Sequence, residues 1–195
     1  MNYILASKSP RRREILENLG VNFEIVCADV DEQDDETDPC VLVERLSLRK
    51  GEAVRDRLLQ EGRFTDDTVI IASDTVVVLD GKILGKPHDV SHARRMLSSL
   101  SGRAHRVISG VALIGKDRSG TAHEITEVVF DTLDSDTLER YLATDEPYDK
   151  AGAYAIQGKA AAWISGIRGC YFNVVGLPVY RLNCLHAALW NKKIL

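Results

Sequence analysis

Residues 68–84 read TVIIASDTVVVLDGKIL, two β-branched runs around Asp74, then Asp80-Gly81, then three more residues of strand character. Asp-Gly between such runs is a strong two-residue hairpin signal, because both residues tolerate positive φ. A hairpin in mid-chain excludes a purely parallel, doubly wound sheet, although strands and helices otherwise interleave. Residues 3–6 read as a short buried strand. Ser9 and Pro10 open a helix as N-cap and first helical position, with Ile15, Leu16 and Leu19 inward and Gly20 at its end. Residues 23–27 form a second strand. After an acidic loop over 29–38, Pro39 starts a helix running to about Leu59. Val43, Leu46, Lys50 and Ala53 share one of its faces, which sets Lys50 beside the apolar seam. Ser91 caps a helix whose inner face is Ala93, Met96, Leu97 and Leu100, closed by Gly102. Residues 103–114 and 121–133 are long strands, and 134–143 a helix. Residues 145–178 are glycine-rich with only short strand candidates, such as 162–165. Pro178 begins a last helix with Leu182, Leu185 and Leu189 inward. The expected fold class is α/β with a mixed sheet.

The chain has 195 residues, 45% hydrophobic and 28% charged, with a net charge of −4. These values are ordinary for a folded domain and exclude collagen-like, disordered and disulfide-scaffold classes. The acidic balance argues against nucleic-acid binding, which normally shows a basic domain. It leaves room for one basic pocket. Cys27, Cys40, Cys170 and Cys184 form no CxxC pair, so a zinc ribbon is not expected and a reducing cytoplasm is. No apolar run approaches the roughly 20 residues of a membrane span, and the N-terminus lacks the order of a signal peptide.

Some motifs are decoys. Gly110 to Lys116 has P-loop spacing, but Asp117 follows where Ser or Thr would ligate magnesium, and its middle is an apolar strand. His88 and His92 are four apart without a third ligand nearby, and read as surface histidines. More informative is the run from Ala6 to Arg13, where a strand gives way to a helix. Its first turn offers free N–H groups and the positive dipole end, with hydroxyls from Ser7 and Ser9 and forked donors from Arg11 and Arg12. Arginines there oppose the dipole, so either a bound phosphate explains them or the turn is simply a solvated basic one. Asp74, between two apolar β-rich runs, is either a turn aspartate or a catalytic carboxylate. Lys86, after the hairpin, is either returned towards it or an exposed loop lysine. The run DKAGAYAIQG over 149–158 has small residues that let backbone approach a ligand. Its Gln157 carries a donor and an acceptor suited to a base edge; a plain structural loop fits the composition equally.

Taken in order, Ala6-Ser-x-Ser-Pro-Arg-Arg12, Val30-Asp-Glu32, Ser73-Asp-Thr75, Lys86-Pro87, Leu100-Ser-Gly-x-x-His105, DKAGAYxIQG over 149–158 and Gly169-x-Tyr-x-Asn-Val-Val-Gly-Leu-Pro178 resemble the Maf family of nucleoside triphosphate pyrophosphatases. The resemblance spans about residues 3–180. It implies one Maf-like domain over 1–195, with an elongated twisted mixed sheet flanked by helices and two lobes around a deep cleft, like inosine triphosphate pyrophosphatases. The 149–158 run is similar to the branch acting on dTTP and UTP; the branch acting on 7-methyl-GTP tends to have Glu at the Gln157 position. The implied reaction splits the α–β phosphoanhydride into nucleoside monophosphate and diphosphate. The implied roles are Asp74 as proton acceptor, Ser7, Arg11, Arg12, Lys50 and Lys86 on the phosphates, and Arg11, Thr75 and Gln157 in substrate choice. A divalent cation, Mg²⁺ or Mn²⁺, is implied, with Glu32 and Asp74 as its ligands. The partners expected are a nucleoside triphosphate and a second copy of the chain in a homodimer, with no nucleic acid and no membrane, in the cytoplasm. The rival readings are a 7-methyl-GTP pyrophosphatase of the same family and a non-enzymatic regulator of septum formation.

Overall fold

The β-rich runs pair into one seven-stranded sheet in the computed structural model, which describes residues 1–194. In chain order the elements are β1 (Asn2–Leu5), α1 (Pro10–Asn18), β2 (Phe23–Ile25), α2 (Pro39–Gln60), β3 (Thr68–Leu79) and β4 (Lys82–Leu84). Then follow α3 (Val90–Leu100), β5 (Ala104–Ile114), β6 (Ser119–Phe130), α4 (Ser135–Leu142), β7 (Ile164–Arg168), α5 (Tyr171–Val175) and α6 (Val179–Trp190). Strand order is β2-β1-β3-β5-β6-β7, with β4 added on β3. β1 runs parallel to β2 and to β3, so Leu5 faces Ile25 on one side and Ile71 on the other. β4 is antiparallel to β3, with Val78 opposite Ile83, and β7 is antiparallel to β6. The sheet is therefore mixed, as the hairpin signal requires. Asp80 and Gly81 both take positive φ, 50° and 76°, the conformation that signal predicts.

The chain divides into two compact units. Unit 1 holds Met1–Asp74, Ser109–Glu124 and the residues from Gly176 onward, and unit 2 holds Thr75–Ile108 and Ile125–Val175. The division falls between Asp74 and Thr75, inside β3. Unit 1 is built on Ile4, Ile70, Ala72, Ala112 and Ile114 of the strands and Ala6 just after β1, covered by Val54 and Leu58 of α2. α2 lies hard against the sheet: a Cβ on Gly110 would stand 2.3 Å from the Val43 carbonyl oxygen. Gly110 thus serves close packing of helix on strand, not a phosphate loop. Unit 2 gathers Ala93, Met96, Leu97 and Leu100 of α3 against Val77, Leu79, Val107, Val128 and Phe130. This is the inner face that helical spacing predicts. No helix among the described residues is long and apolar enough to cross a membrane.

Several local expectations change. The two runs flanking Asp74 are one continuous strand, so Asp74 is not a turn residue. α3 is capped by Asp89, whose Oδ1 accepts the His92 N–H at 2.6 Å, and Ser91 sits inside the first turn. A carboxylate is the better acceptor where the dipole is positive. At α1 the N-cap is Ser9 as expected, but it makes no side-chain cap bond. In α2, Val54 turns fully inward while Ala53 is only partly covered. The short strand expected at 162–165 is β7, displaced by a 3-10 turn over Lys159–Trp163, and α5 was not expected at all. In a glycine-rich stretch without periodicity, tertiary contacts decide such elements.

Candidate active site

β1 ends at Leu5 deep in the sheet, and the chain turns through Ser7 into α1. Ser7 is buried, and its Oγ accepts the Ser9 N–H at 3.2 Å and Arg12 Nη1–H at 3.2 Å. The first-turn Arg12 also donates through Nε to the Gly176 carbonyl at 2.8 Å. Burial lowers the Arg12 pKa; the Asp74 charge opposes this, the Arg11 charge adds to it, and the Glu32 charge opposes it again. A guanidinium stays protonated at neutral pH under such shifts. Arg11 lies partly buried on the same turn.

Asp74 stands at the end of the part of β3 that belongs to unit 1. Lys50, brought up from the middle of α2, donates through Nζ to Asp74 Oδ1 at 2.5 Å and lies 2.8 Å from Glu32 Oε1. The Lys50 and Asp74 side chains are only 17% and 12% exposed, so solvent screens this pair less than a surface pair. The acidic 29–38 loop is thus not purely a solvated run: Glu32 reaches the same ammonium as Asp74. Ser73 Oγ, beside Asp74, lies 2.7 Å from the Gly110 carbonyl and 2.9 Å from that of Gly176. Gly176 has φ of 119°, which an L side chain rarely adopts, and this aims its carbonyl at both Arg12 and Ser73. Sequence reading assigned no role to Ser73 or Gly176. Both lie inside quoted motifs, which was the only signal.

Unit 1 therefore holds two contact groups, Ser7 with Arg12 and Lys50 with Asp74 and Glu32, linked through the Gly176 carbonyl that Arg12 and Ser73 share, with Arg11 on the same turn as Arg12. Thr75, Lys86 and Gln157 belong to unit 2. Thr75 is partly buried, directly after Asp74 in β3, and Lys86 is exposed on the loop after β4. Gln157 is exposed on the 149–158 segment. That segment is tied to the Lys86 loop, since the Gly152 N–H donates to the Gly85 carbonyl at 3.0 Å. Gly152 has φ of 69°, and a Cβ there would stand 2.9 Å from Val77 Cγ2. The loop therefore rests directly on β3 in unit 2. Tyr154 is anchored by a hydrogen bond of 2.7 Å between its hydroxyl and His105 Nε2. Burial pushes the His105 pKa down to about 4, so the ring is neutral at pH 7.

Among the described residues, no three His, Cys, Asp or Glu side chains come together as a metal cluster. His88 and His92 stack at 5.0 Å, with the His88 N–H donating to His92 Nδ1. Asp74 and Glu32 are carboxylates beside the phosphate-suited groups of unit 1, and they share one ammonium. Two carboxylates, with the remaining positions filled by phosphate oxygens and water, are a donor set that suits Mg²⁺.

With the strand-to-helix turn, the mid-strand Asp74 and the paired Lys50 in place, one family model, Maf-like protein, matches residues 2–188. The chain belongs to the Maf family. Among curated Maf relatives, the dTTP/UTP pyrophosphatase of Symbiobacterium thermophilum is 49% identical, over 91% of this chain and 89% of its own. That of Pelotomaculum thermopropionicum is 48% identical over 92% of both chains. The dTTP/UTP pyrophosphatase of Clostridioides difficile is 49% identical over 95% of this chain and 93% of its own.

Proposed function

We propose that this Maf protein hydrolyses dTTP and UTP at the α–β phosphoanhydride, giving the nucleoside monophosphate and pyrophosphate. The observation that carries this reading is the Lys50 ammonium held between Asp74 and Glu32, in a chain nearly half identical to enzymes named for that activity. Asp74 is assigned as general base. Lys50 engages its Oδ1 and so fixes the carboxylate plane; Oδ2 takes the proton of the attacking water. The water oxygen bonds to phosphorus, the anhydride P–O bond breaks, and pyrophosphate leaves with the electron pair. Such a reaction depends chiefly on positioning and charge neutralisation.

Ser7, Arg11, Arg12, Lys50 and Lys86 are assigned to the phosphates. Ser7 Oγ already accepts two bonds, so its own O–H is left to donate to a phosphate oxygen. Lys50 donates one hydrogen bond to Asp74 and stands as an ion pair 2.8 Å from Glu32, so its ammonium keeps donor capacity that suits phosphate. Each cation–phosphate pair at about 4 Å is worth about 4 kcal/mol before desolvation at an effective dielectric near 20. Glu32 and Asp74 would hold Mg²⁺ or Mn²⁺, which supplies neutralisation of charge developing on the phosphates. Arg11, Thr75 and Gln157 are assigned to substrate choice, with Gln157 pairing the O and N–H edge of uracil or thymine. A site of this kind tolerates the 5-methyl group, because a methylene-sized change moves binding by only about 1–3 kcal/mol. From the family resemblance we further propose one Maf-like domain over 1–195 that works in the cytoplasm as a homodimer.

The test is pyrophosphate release with Mg²⁺ or Mn²⁺ from dTTP, UTP, CTP, GTP and 7-methyl-GTP, by wild type and by Asp74→Asn. We expect turnover of dTTP and UTP, lost by about 10²–10⁴-fold in the variant. Preference for 7-methyl-GTP would keep the mechanism and overturn the role of Gln157. A folded, metal-loaded protein with no turnover would overturn the reaction and favour a regulatory role.

A further inference from the structure

Gln157 is assigned to read the base, yet its side chain is exposed on a segment with little regular structure. Something must fix the backbone that carries it. Eleven residues upstream, outside every motif quoted above, stands Glu146. Its Oε2 accepts the Lys159 N–H at 3.0 Å, and its Oε1 accepts the Tyr141 O–H at 3.1 Å and lies 3.5 Å from the Ala160 nitrogen. The carboxylate thus caps the 3-10 turn over Lys159–Trp163, which begins two residues after Gln157. Gly158, between the two, makes room for it: a Cβ there would stand 2.1 Å from Oε1 and 2.4 Å from the carboxyl carbon. The glycine of the Ile-Gln-Gly motif is therefore the seat of the Glu146 side chain.

The same residue holds the other end. The Glu146 carbonyl accepts Lys150 Nζ at 2.7 Å, and Lys150 also pairs with Asp149. Tyr141 is a dependable donor: burial, and then the Glu146 charge, raise its pKa, so its hydroxyl stays protonated at neutral pH. Gly152 is tied to Gly85 and Tyr154 to His105, and 155–158 forms a turn closed by the Gly158 N–H on the Ala155 carbonyl at 3.1 Å; Glu146 then fixes how that turn runs into Lys159.

We propose that Glu146 is a positioning residue for base selection, holding Gln157 in register through Gly158 and Lys159. This rests on the dTTP/UTP reading above. The side chains and amides that Glu146 touches belong to the unit that carries Gln157, so the effect falls on recognition of the base and not on proton transfer at Asp74. Cytosine presents the reverse donor and acceptor pattern to uracil at positions 3 and 4, so CTP reports whether Gln157 is aimed correctly.

The experiment measures kcat and KM for UTP, dTTP and CTP, with thermal melting, for wild type, Glu146→Ala, Glu146→Gln and Tyr141→Phe. We expect Glu146→Ala to raise KM for UTP and dTTP by about tenfold, with kcat within about threefold, and to lower the UTP-to-CTP efficiency ratio accordingly. Glu146→Gln keeps most of the ratio, because its amide oxygen still accepts the Lys159 N–H while Tyr141 accepts from the amide nitrogen. Tyr141→Phe removes one donor without emptying the site. It keeps the test open if Glu146→Ala does not fold: a lowered ratio supports the role, and an unchanged ratio overturns it. Folded Glu146→Ala with the wild-type ratio, whatever its melting temperature, overturns the inference alone. Wild type that turns over neither UTP nor dTTP overturns the functional reading, and the inference with it.

Discussion

Asp74 and His105 are both buried polar residues on strands, and each is held by a different kind of partner. Asp74 lies in β3 paired with the Lys50 ammonium. His105 lies in β5 among Phe130 and Tyr154, whose rings stand edge-on to it at 4.9 and 5.4 Å, an arrangement that disfavours a charge. Its pKa falls from 6.5 to about 4. The unfolded chain therefore takes up a proton on this ring before the native protein does. The neutral ring contributes its full stability above pH 6.5, and loses it progressively as pH falls towards 4. The loss over that window is of order 3 kcal/mol. Urea unfolding at pH 7 and pH 4.5 should show a steeper decline for wild type than for His105→Gln. Equal slopes would mean that the ring is not buried neutral.

At the scale of the element, α2 decides whether Lys50 reaches Asp74, and two glycines decide how α2 sits. Gly110 of β5 faces the backbone of α2, and an added Cβ would stand within 2.8 Å of the Val43 oxygen, the Val43 carbonyl carbon and the Glu44 nitrogen. Backbone has nowhere to go, so Gly110→Ala must push the helix off the sheet. Gly51, inside α2, would meet Ile114 Cδ1 at 2.6 Å, the far end of a flexible side chain. There the clash is relieved by a rotamer change, and alanine regains about 1 kcal/mol of helix propensity. Gly110→Ala should therefore destabilise by about 3 kcal/mol or more and Gly51→Ala by about 1 or less, measured by denaturant unfolding. Similar losses at both sites would refute this account of the seating of α2.

At the scale of the whole molecule, a chain of net charge −4 holds Ser7, Arg11, Arg12 and Lys50 in unit 1 beside two carboxylates. A nucleotide that binds the folded chain and not the unfolded one stabilises the fold by mass action. A non-hydrolysable UTP analogue with Mg²⁺, at a hundred times its Kd, should add about 2.7 kcal/mol. For a chain of this length that raises Tm by about 5–10 °C. The corresponding GTP analogue at the same concentration should add less, and equal shifts would show phosphate binding without base selection.

Much of this was legible in the residues. The Asp-Gly turn, the Ser-Pro helix start, the α3 inner face and the mixed sheet follow from local rules of backbone conformation and hydrophobic period. The sequence by itself determined these elements, because each rule acts over a few residues. It also marked out Ser7, Arg12, Glu32 and Asp74 through ordered motifs, and set Lys50 beside the apolar seam by helical spacing, without fixing what any of them touches. Only the tertiary structure decided that Asp74 is mid-strand, that Lys50 spans 24 positions to bond it, and that Gly176 turns one carbonyl to both Arg12 and Ser73. Only it placed the Glu146 carboxylate where a Gly158 side chain would be. Contacts between residues far apart in the chain depend on helix seating and glycine clearances. Those are set by how whole faces pack, and no local pattern of residue types encodes them.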